Sequence, residues 1–337
     1  MAVLNTLSYE DAVDLINREF DAGKLESINN AMKNSGIVKV NTISANTGAT
    51  KRHKEMPVGE QYASIKAQGW PAVKTRVQQG YYKDTTSRTF AKSIDITLEM
   101  RQLDKTEVYR SAEFIGNVLP AREDLNLAMF ISMGTATSYT DQDGQTVDIS
   151  TWDWLAIWSA THTLTGSSTT FSARITANPA FSETGLELAE DILRTNTYTN
   201  LGEQVACMAD TIITTDYPTL VNTVKRLLIS TAYVASGFSE GITNVYQGKY
   251  KHVILPRIDM DANGAKDANK KNYWLIADSK ITSFFHDVYM APEMRYPKNG
   301  NNGEDIDTLD WTFTAVSMHD SCVVSARGMV FSNGTGS

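Results

Sequence analysis

With 337 residues, 42% of them hydrophobic and 21% charged, the chain has the length of about two domains and the composition of a globular protein. A formal charge of −8 excludes a protein that grips nucleic acid over most of its surface, though not one that merely encloses it. No apolar run reaches the ~18 residues of a membrane helix, the first six residues lack the regions of a signal peptide, and two cysteines are too few for a disulfide framework, which fits a reducing compartment.

Residues 8–36 read as two short helices. Ser8 caps the first, Asp11 answers from its first turn, and Val13, Ile16 and Phe20 line one face until Gly23. Leu25, Ile28, Ala31 and Met32 line the second until Gly36. Neither is long enough to hold itself together, so the expectation is an arm laid on something else. Residues 41–86 are mostly polar, with Val58, Ile65, Trp70, Val73, Val77, Tyr81 and Tyr82 as sparse apolar anchors. An alternating run follows, with Phe90, Lys92, Ile94, Ile96, Leu98 and Met100 on one side. It predicts a strand of more than ~35 Å, part of a ribbon too long to bury its own face and so expected to lie on another subunit.

Residues 104–134 carry the organising element, one amphipathic helix roughly 45 Å long. Val108, Ala112, Ile115 and Leu119 share a stripe that Leu125, Ala128, Met129 and 131–133 continue; Thr106 offers a cap, Gly134 a stop, and Pro120 a kink or a division into two halves. Beyond it comes a Ser/Thr-rich stretch with a turn at 141–144, then Trp152, Trp154, Ile157 and Trp158, read as a short helix whose tryptophans are core. Ser182 caps a helix carrying Leu186, Ala189 and Leu193. Strands at 211–214, 252–255 and 273–277, with a helix opened by Pro218, complete an α+β unit. A loop at 297–307 leads to a terminal hairpin, with Leu309, Trp311 and Phe313 in one strand and Cys322, Val324 and Ala326 in the other.

Signals for chemistry are weak. Residues 237–241 match the nucleophile elbow of serine hydrolases around Ser239, with His252, His286 and His319 downstream, but a helix rather than a strand precedes them. Residues 259–264 begin like a calcium loop, yet Lys270 stands where the bidentate glutamate belongs, so a turn capped by Asp and Asn side chains is the reading. Lys51, Arg52, His53 and Lys54 form the one basic cluster, suited to phosphate, to an acidic patch on a neighbouring subunit or to solvent. No zinc spacing or phosphate loop is present. The expectation is a protein that is not an enzyme, with no catalytic residue, cofactor or metal.

The order of parts, helical arm, polar ribbon, long strand, spine helix, α+β unit and closing strands, resembles the major capsid proteins of tailed phages, the Hong-Kong-97 fold. The likeness is carried by Ser93-Ile94-Asp95-Ile96-Thr97 running into the helix that ends Phe130-Ile131-Ser132-Met133-Gly134. Tyr273-Trp274-Leu275-Ile276-Ala277-Asp278 carries it too, as do Trp311-Thr312-Phe313 and Ala326-Arg327-Gly328-Met329-Val330. The resemblance implies an α+β fold with an N-terminal arm at 1–45 and an extended loop at 46–98. A peripheral domain would comprise 99–180 and 301–337 with its spine at 105–134, and an axial domain would be inserted at 181–300. It further implies a major head protein of a tailed double-stranded DNA bacteriophage, located in the virion and assembled in the host cytoplasm. Pentamers and hexamers would close into an icosahedral shell that encloses DNA without sequence-specific binding. A separate scaffolding protein is expected because the chain goes quickly from Met1 into its arm; a portal and a decoration protein are the other implied partners. Candidate intersubunit contacts are Lys51, Arg52, Lys54, Trp70, Tyr81, Tyr82 and Phe20. Lys66, Lys74 and Lys83 are available for a covalent crosslink, but none is assigned. Alternatives are an encapsulin-like nanocompartment shell, a serine hydrolase using Ser239, and a calcium-dependent binding module at 259–267.

Overall fold

The computed structural model describes residues 8–28, 30–44, 48–55, 63–72, 74, 80–103, 105–230, 244–296 and 309–335. Val58, Val73, Val77, the loop at 297–307 and the motif around Ser239 lie outside the described residues. Where two short N-terminal helices are expected, one helix, α1 (Tyr9–Ile28), runs for 20 residues. Ser8 caps it as anticipated, its Oγ accepting from the Asp11 N–H at 3.1 Å. Gly23 does not stop the helix. It lets α1 cross a second helix at backbone contact, as described below.

After a turn of 3₁₀ helix at Lys33–Ser35 come β1 (Val38–Thr42), then β2 (Thr50–Lys54) and β3 (Tyr82–Thr86), which pair with each other as a two-stranded ribbon. Strand β4 (Arg88–Ile96) is shorter than expected. Thr97 ends it by capping α2 (Leu98–Leu103), its Oγ1 accepting from the Met100 N–H at 3.3 Å. The apparent alternation at Leu98 and Met100 therefore belongs to strong helix formers in a helix. The long helix α3 (Lys105–Ser132) follows, 28 residues without interruption. Pro120 lacks the N–H that would satisfy the carbonyl of residue 116. Against that carbonyl α1 presses Gly23: a Cβ there would fall 1.9 Å from the Gly116 oxygen, and a Cβ on Gly116 would fall 2.6 Å from the Glu19 oxygen.

The end of α3 is fixed by an aromatic. The Trp158 indole donates to the Ile131 carbonyl at 2.9 Å, and a Cβ on Gly134 would fall 2.4 Å from that indole nitrogen. The turn expected at 141–144 joins the hairpin β5 (Ser138–Thr140) and β6 (Thr146–Asp148). No helix forms around the tryptophans: Trp158 is core, Trp152 half-buried and Trp154 78% exposed with φ +62°, so the core reading holds for one of the three. The α+β unit forms as read, with α4 (Glu183–Thr195) capped by Ser182, β7 (Thr211–Thr214), α5 (Pro218–Ile229), β8 (Lys251–Ile254) and β9 (Trp274–Ala277).

The chain closes differently from the expected hairpin. Strand β10 (Phe284–Arg295), missed in the sequence, pairs antiparallel with β11 (Trp311–Val323), a single strand of 13 residues that takes in Trp311 and Phe313 of the first expected arm and Cys322 of the second, while Val324 and Ala326 lie beyond it. Strand β12 (Met329–Ser332) then leaves for the other sheet, where it pairs with β9. One sheet has the order β1-β10-β11-β4 and the other β12-β9-β7-β8. So the last strand, expected in the peripheral unit 301–337, joins the strands of the inserted unit.

Three apolar clusters follow from this layout. One lies between the two sheets and takes in Leu127, Phe130 and Ile131 of α3 with Phe284, Leu275 and Phe331. A second packs α4 and α5 on Ile212, Trp274, Ile276 and Val330, one face of the second sheet. The third buries Ala12, Leu15, Ile16 and Phe20 of α1 against Val108, Ala112, Ile115 and Leu119 of α3 and Trp311 and Phe313 of β11. The N-terminal helix thus lies on its own chain rather than on another, and β4 pairs with β11 rather than with a neighbour. Both expectations of an unsupported projection are corrected, because α3 and β11 offer apolar stripes inside the chain.

Candidate assembly surfaces

Strands β2 and β3 stand outside both sheets, so side chains must root them to the body. Asp287 of β10 does most of this. Its buried carboxylate meets His53 Nε2 at 2.5 Å and accepts from Thr85 Oγ1 at 2.5 Å, from Asn41 Nδ2 at 2.9 Å and from Lys51 Nζ at 3.5 Å. Burial alone would raise its pKa; the hydrogen bonds from His53, Thr85 and Asn41 outweigh that and hold it at about 2. His53 also stacks on Phe285 with ring centroids 4.1 Å apart, and the Thr86 N–H donates to Asp320 at 2.9 Å.

Just past the ribbon, Glu55 pairs with Arg327 in a buried contact, and Arg327 also donates to Asn200 Oδ1 at 2.5 Å. Burial raises the Glu55 carboxyl above its usual range despite that guanidinium. Lys83 donates to the Ser150 carbonyl and pairs with Asp148 at 3.1 Å, while Tyr81 stacks on Trp152 at 4.4 Å. The ribbon root is therefore fastened at two points, Asp287 on one side and Arg327 with the 148–152 segment on the other.

A third buried network underlies the first. His286 bridges Glu123 of α3 (2.7 Å) and Ser321 Oγ (2.8 Å), and Lys33 reaches Glu123 at 2.6 Å. Burial works against the Glu123 charge, but His286 and Lys33 hold its carboxyl well below the usual carboxylate range. Burial, then the neighbouring His286, lowers His319 to about 3. Glu123, His286 and Ser321 have the spacing of an acid–histidine–serine relay, yet all three are buried between α3 and the β10–β11 pair. Their role there is to join helix to sheet. His252 meets Thr214 Oγ1 at 2.9 Å and His319 stacks on Phe90, so each histidine weighed as a partner for Ser239 is committed elsewhere. The calcium-like segment is a turn as read: Asp261 Oδ1 accepts from the N–H of Asn263 and Ala265, and Lys266 Nζ occupies Asp259 at 2.6 Å. Among the described residues no group of three metal-ligating side chains exists, and no helix is long and apolar enough to cross a membrane.

The structure brings five of the seven proposed contacts together on the ribbon. Arg52 makes a forked pair with Asp84 (2.9 and 3.0 Å) and lies 3.5 Å over the Tyr82 ring, Lys51 turns to Asp287, and Lys54, Tyr81 and Tyr82 are exposed. The basic cluster is thus largely neutralised within the chain. Trp70 is 71% exposed, within a described stretch, 63–72, every residue of which is exposed. Phe20 is 3% exposed in the α1–α3 core and is withdrawn from the proposed contacts. Sequence reasoning missed Asp287, Glu55, Arg327 and Glu123, which as isolated charges carry no local pattern.

No protein-family model matches the chain, and no curated protein does. Among solved structures it aligns with one from Gordonia phage Cozz at 11% identity, over 88% of this chain and 84% of that one, with a TM-score of 0.50. It aligns with the capsid of cyanophage P-SCSP1u at 15% identity over 88% and 85%, with a TM-score of 0.49. With the capsid of a native GTA particle the values are 12% identity, 89% of each chain and 0.47. At such identities the likeness speaks of fold. The chain shares its fold with that protein of Gordonia phage Cozz over most of both chains.

Proposed function

We propose that this chain is the structural shell protein of a tailed double-stranded DNA phage, and that its copies assemble as pentamers and hexamers into an icosahedral head around the genome. The observation that carries this reading is a shared fold over most of both chains, combined with a rooted ribbon whose continuation leaves Trp70 in water. The same polar stretch exposes Ile65 to 99% as well as Trp70, so it offers two large apolar side chains to a neighbour. In a lattice of copies it becomes an anchor, one of several modest contacts per subunit. Exposed Lys54, Tyr81 and Tyr82 at the ribbon are further contacts in this reading.

In this reading α3 is the spine, sheet β1-β10-β11-β4 is the peripheral layer, and sheet β12-β9-β7-β8 with α4 and α5 is the axial unit. The arm at 1–45 and the loop at 46–98 each end in a strand, β1 and β4, that joins this peripheral layer. A scaffolding protein and a portal are its expected partners in the phage, the virion is its location, and host cytoplasm its place of assembly, while the shell contacts lie between copies of the chain itself. The net charge of −8 suits a wall that contains DNA without adhering to it. Sedimentation velocity of the purified chain tests the proposal. The expected boundary is that of particles of many copies, and a single boundary at the size of one chain at every concentration would overturn it.

A further inference from the structure

In the second sheet the strands run β12-β9-β7-β8, and α5 is the crossover between the parallel neighbours β7 and β8. Helix α4 packs beside β12, at the opposite edge. Both helices share one cluster with Ile212, Trp274, Ile276 and Val330, so they lie on the same face of the sheet, and the 244–250 segment touches both, Asn244 donating to the Leu227 carbonyl and Lys249 to Glu190. Their outward surfaces differ in sign. Asn222, Lys225, Arg226 and Ile229 of α5 are exposed, Ile229 to 69%, and border a shallow concavity of about 550 Å³. Helix α5 contains no acidic residue, and neither Lys225 nor Arg226 forms an ion pair among the described residues. On α4, Glu187, Leu188 and Asp191 are exposed, Leu188 to 48%; Glu187 accepts a hydrogen bond from Tyr246, and Asp191 pairs with Arg194 one turn away on the same surface.

We propose that α4 of one copy docks on α5 of the next, with Leu188 seated against Ile229 and with Glu187 and Asp191 facing Lys225 and Arg226. This inference rests on the shell reading above and names one contact within it. An apolar centre flanked by acid on α4 and one flanked by base on α5 are complementary between copies, whereas α4 on α4 or α5 on α5 would set like charges together. Head-to-tail pairing satisfies both faces and repeats around a ring.

The test is charge reversal with rescue, read as the fraction of chain sedimenting in particles. One variant carries Lys225→Glu with Arg226→Glu, another Glu187→Lys with Asp191→Lys, and a third carries all four changes. Melting of every variant is recorded beside the wild type, because Glu187→Lys and Asp191→Lys also remove the contacts with Tyr246 and Arg194. Each double reversal is expected to lower the particle fraction roughly tenfold or more, because like charges then face one another at every ring contact. The fourfold chain is expected to recover wild-type yield, which a variant that simply misfolds cannot do. Double reversals that assemble like the wild type, or a fourfold chain no better than the doubles, would overturn the α4–α5 contact while leaving the shell reading intact. A wild-type chain that forms no particles would overturn the shell reading, and this contact with it.

Discussion

Replacing Gly116 by alanine sets two effects of opposite sign against each other. In an exposed helix interior the change stabilises by ~1 kcal/mol, since glycine is the poorer helix former. Here the new methyl would fall 2.6 Å from the Glu19 oxygen and 3.0 Å from its carbonyl carbon. Both are backbone atoms of α1, which no rotamer change can move, so the whole helix must retreat by most of an ångström. That retreat loosens the seating of Ala12, Leu15, Ile16 and Phe20 on Val108, Ala112, Ile115 and Leu119. Overpacking of this kind costs ~1–3 kcal/mol, so a net destabilisation of ~1–2 kcal/mol is expected where propensity alone gives a gain. Denaturant unfolding of the unassembled chain measures the sign, and hydrogen exchange at 12–23 locates it, with the largest loss of protection expected in α1. A more stable Gly116→Ala chain with α1 amides as protected as before would refute the crossing. Gly23→Ala, at 1.9 Å from the Gly116 oxygen, is expected to act in the same direction and more strongly.

Asp287→Asn removes the charge that faces His53 and Lys51 in the buried ribbon root, a loss in the ~3–5 kcal/mol class for breaking a buried ion pair, and exchange should rise first at β2 and β3. Arg327→Ala leaves Glu55 buried without its guanidinium; a similar cost is expected from thermal melting, and Glu55→Gln in the same chain should recover part of it. Burial lowers His319 to about 3 and His252 to about 4, whereas both titrate near 6.5 when unfolded. Between those values the unfolded chain holds more protons, so stability should fall as pH drops from 6.5 towards 4. His319→Gln is expected to flatten that slope, and an unchanged slope in both His319→Gln and His252→Gln would count against the assignment.

What the sequence made legible were the elements whose signal is local. Ser182, Pro218 and the stripe through Val108, Ala112 and Ile115 place α4, α5 and α3, because caps and periodicity act within a few residues. Gly23 misled for the opposite reason: its lack of a side chain serves a crossing with Gly116, 93 positions away, and not a helix end. Strand β10 was illegible because Phe284, His286 and Asp287 mix apolar and charged residues on buried positions, and their partners lie on β2, α3 and β11. The ribbon's exposed aromatics were visible in the sequence; the charges that root it, Asp287, Glu55 and Arg327, were not, since a lone buried charge is defined by distant neighbours.

The central claim, that the native state is a closed lattice of copies, is tested most directly by negative-stain electron microscopy of the purified chain. Uniform hollow shells with five- and sixfold clusters on their surface are the expected image. A field of small solitary particles, unchanged from dilute to concentrated solution, would contradict it.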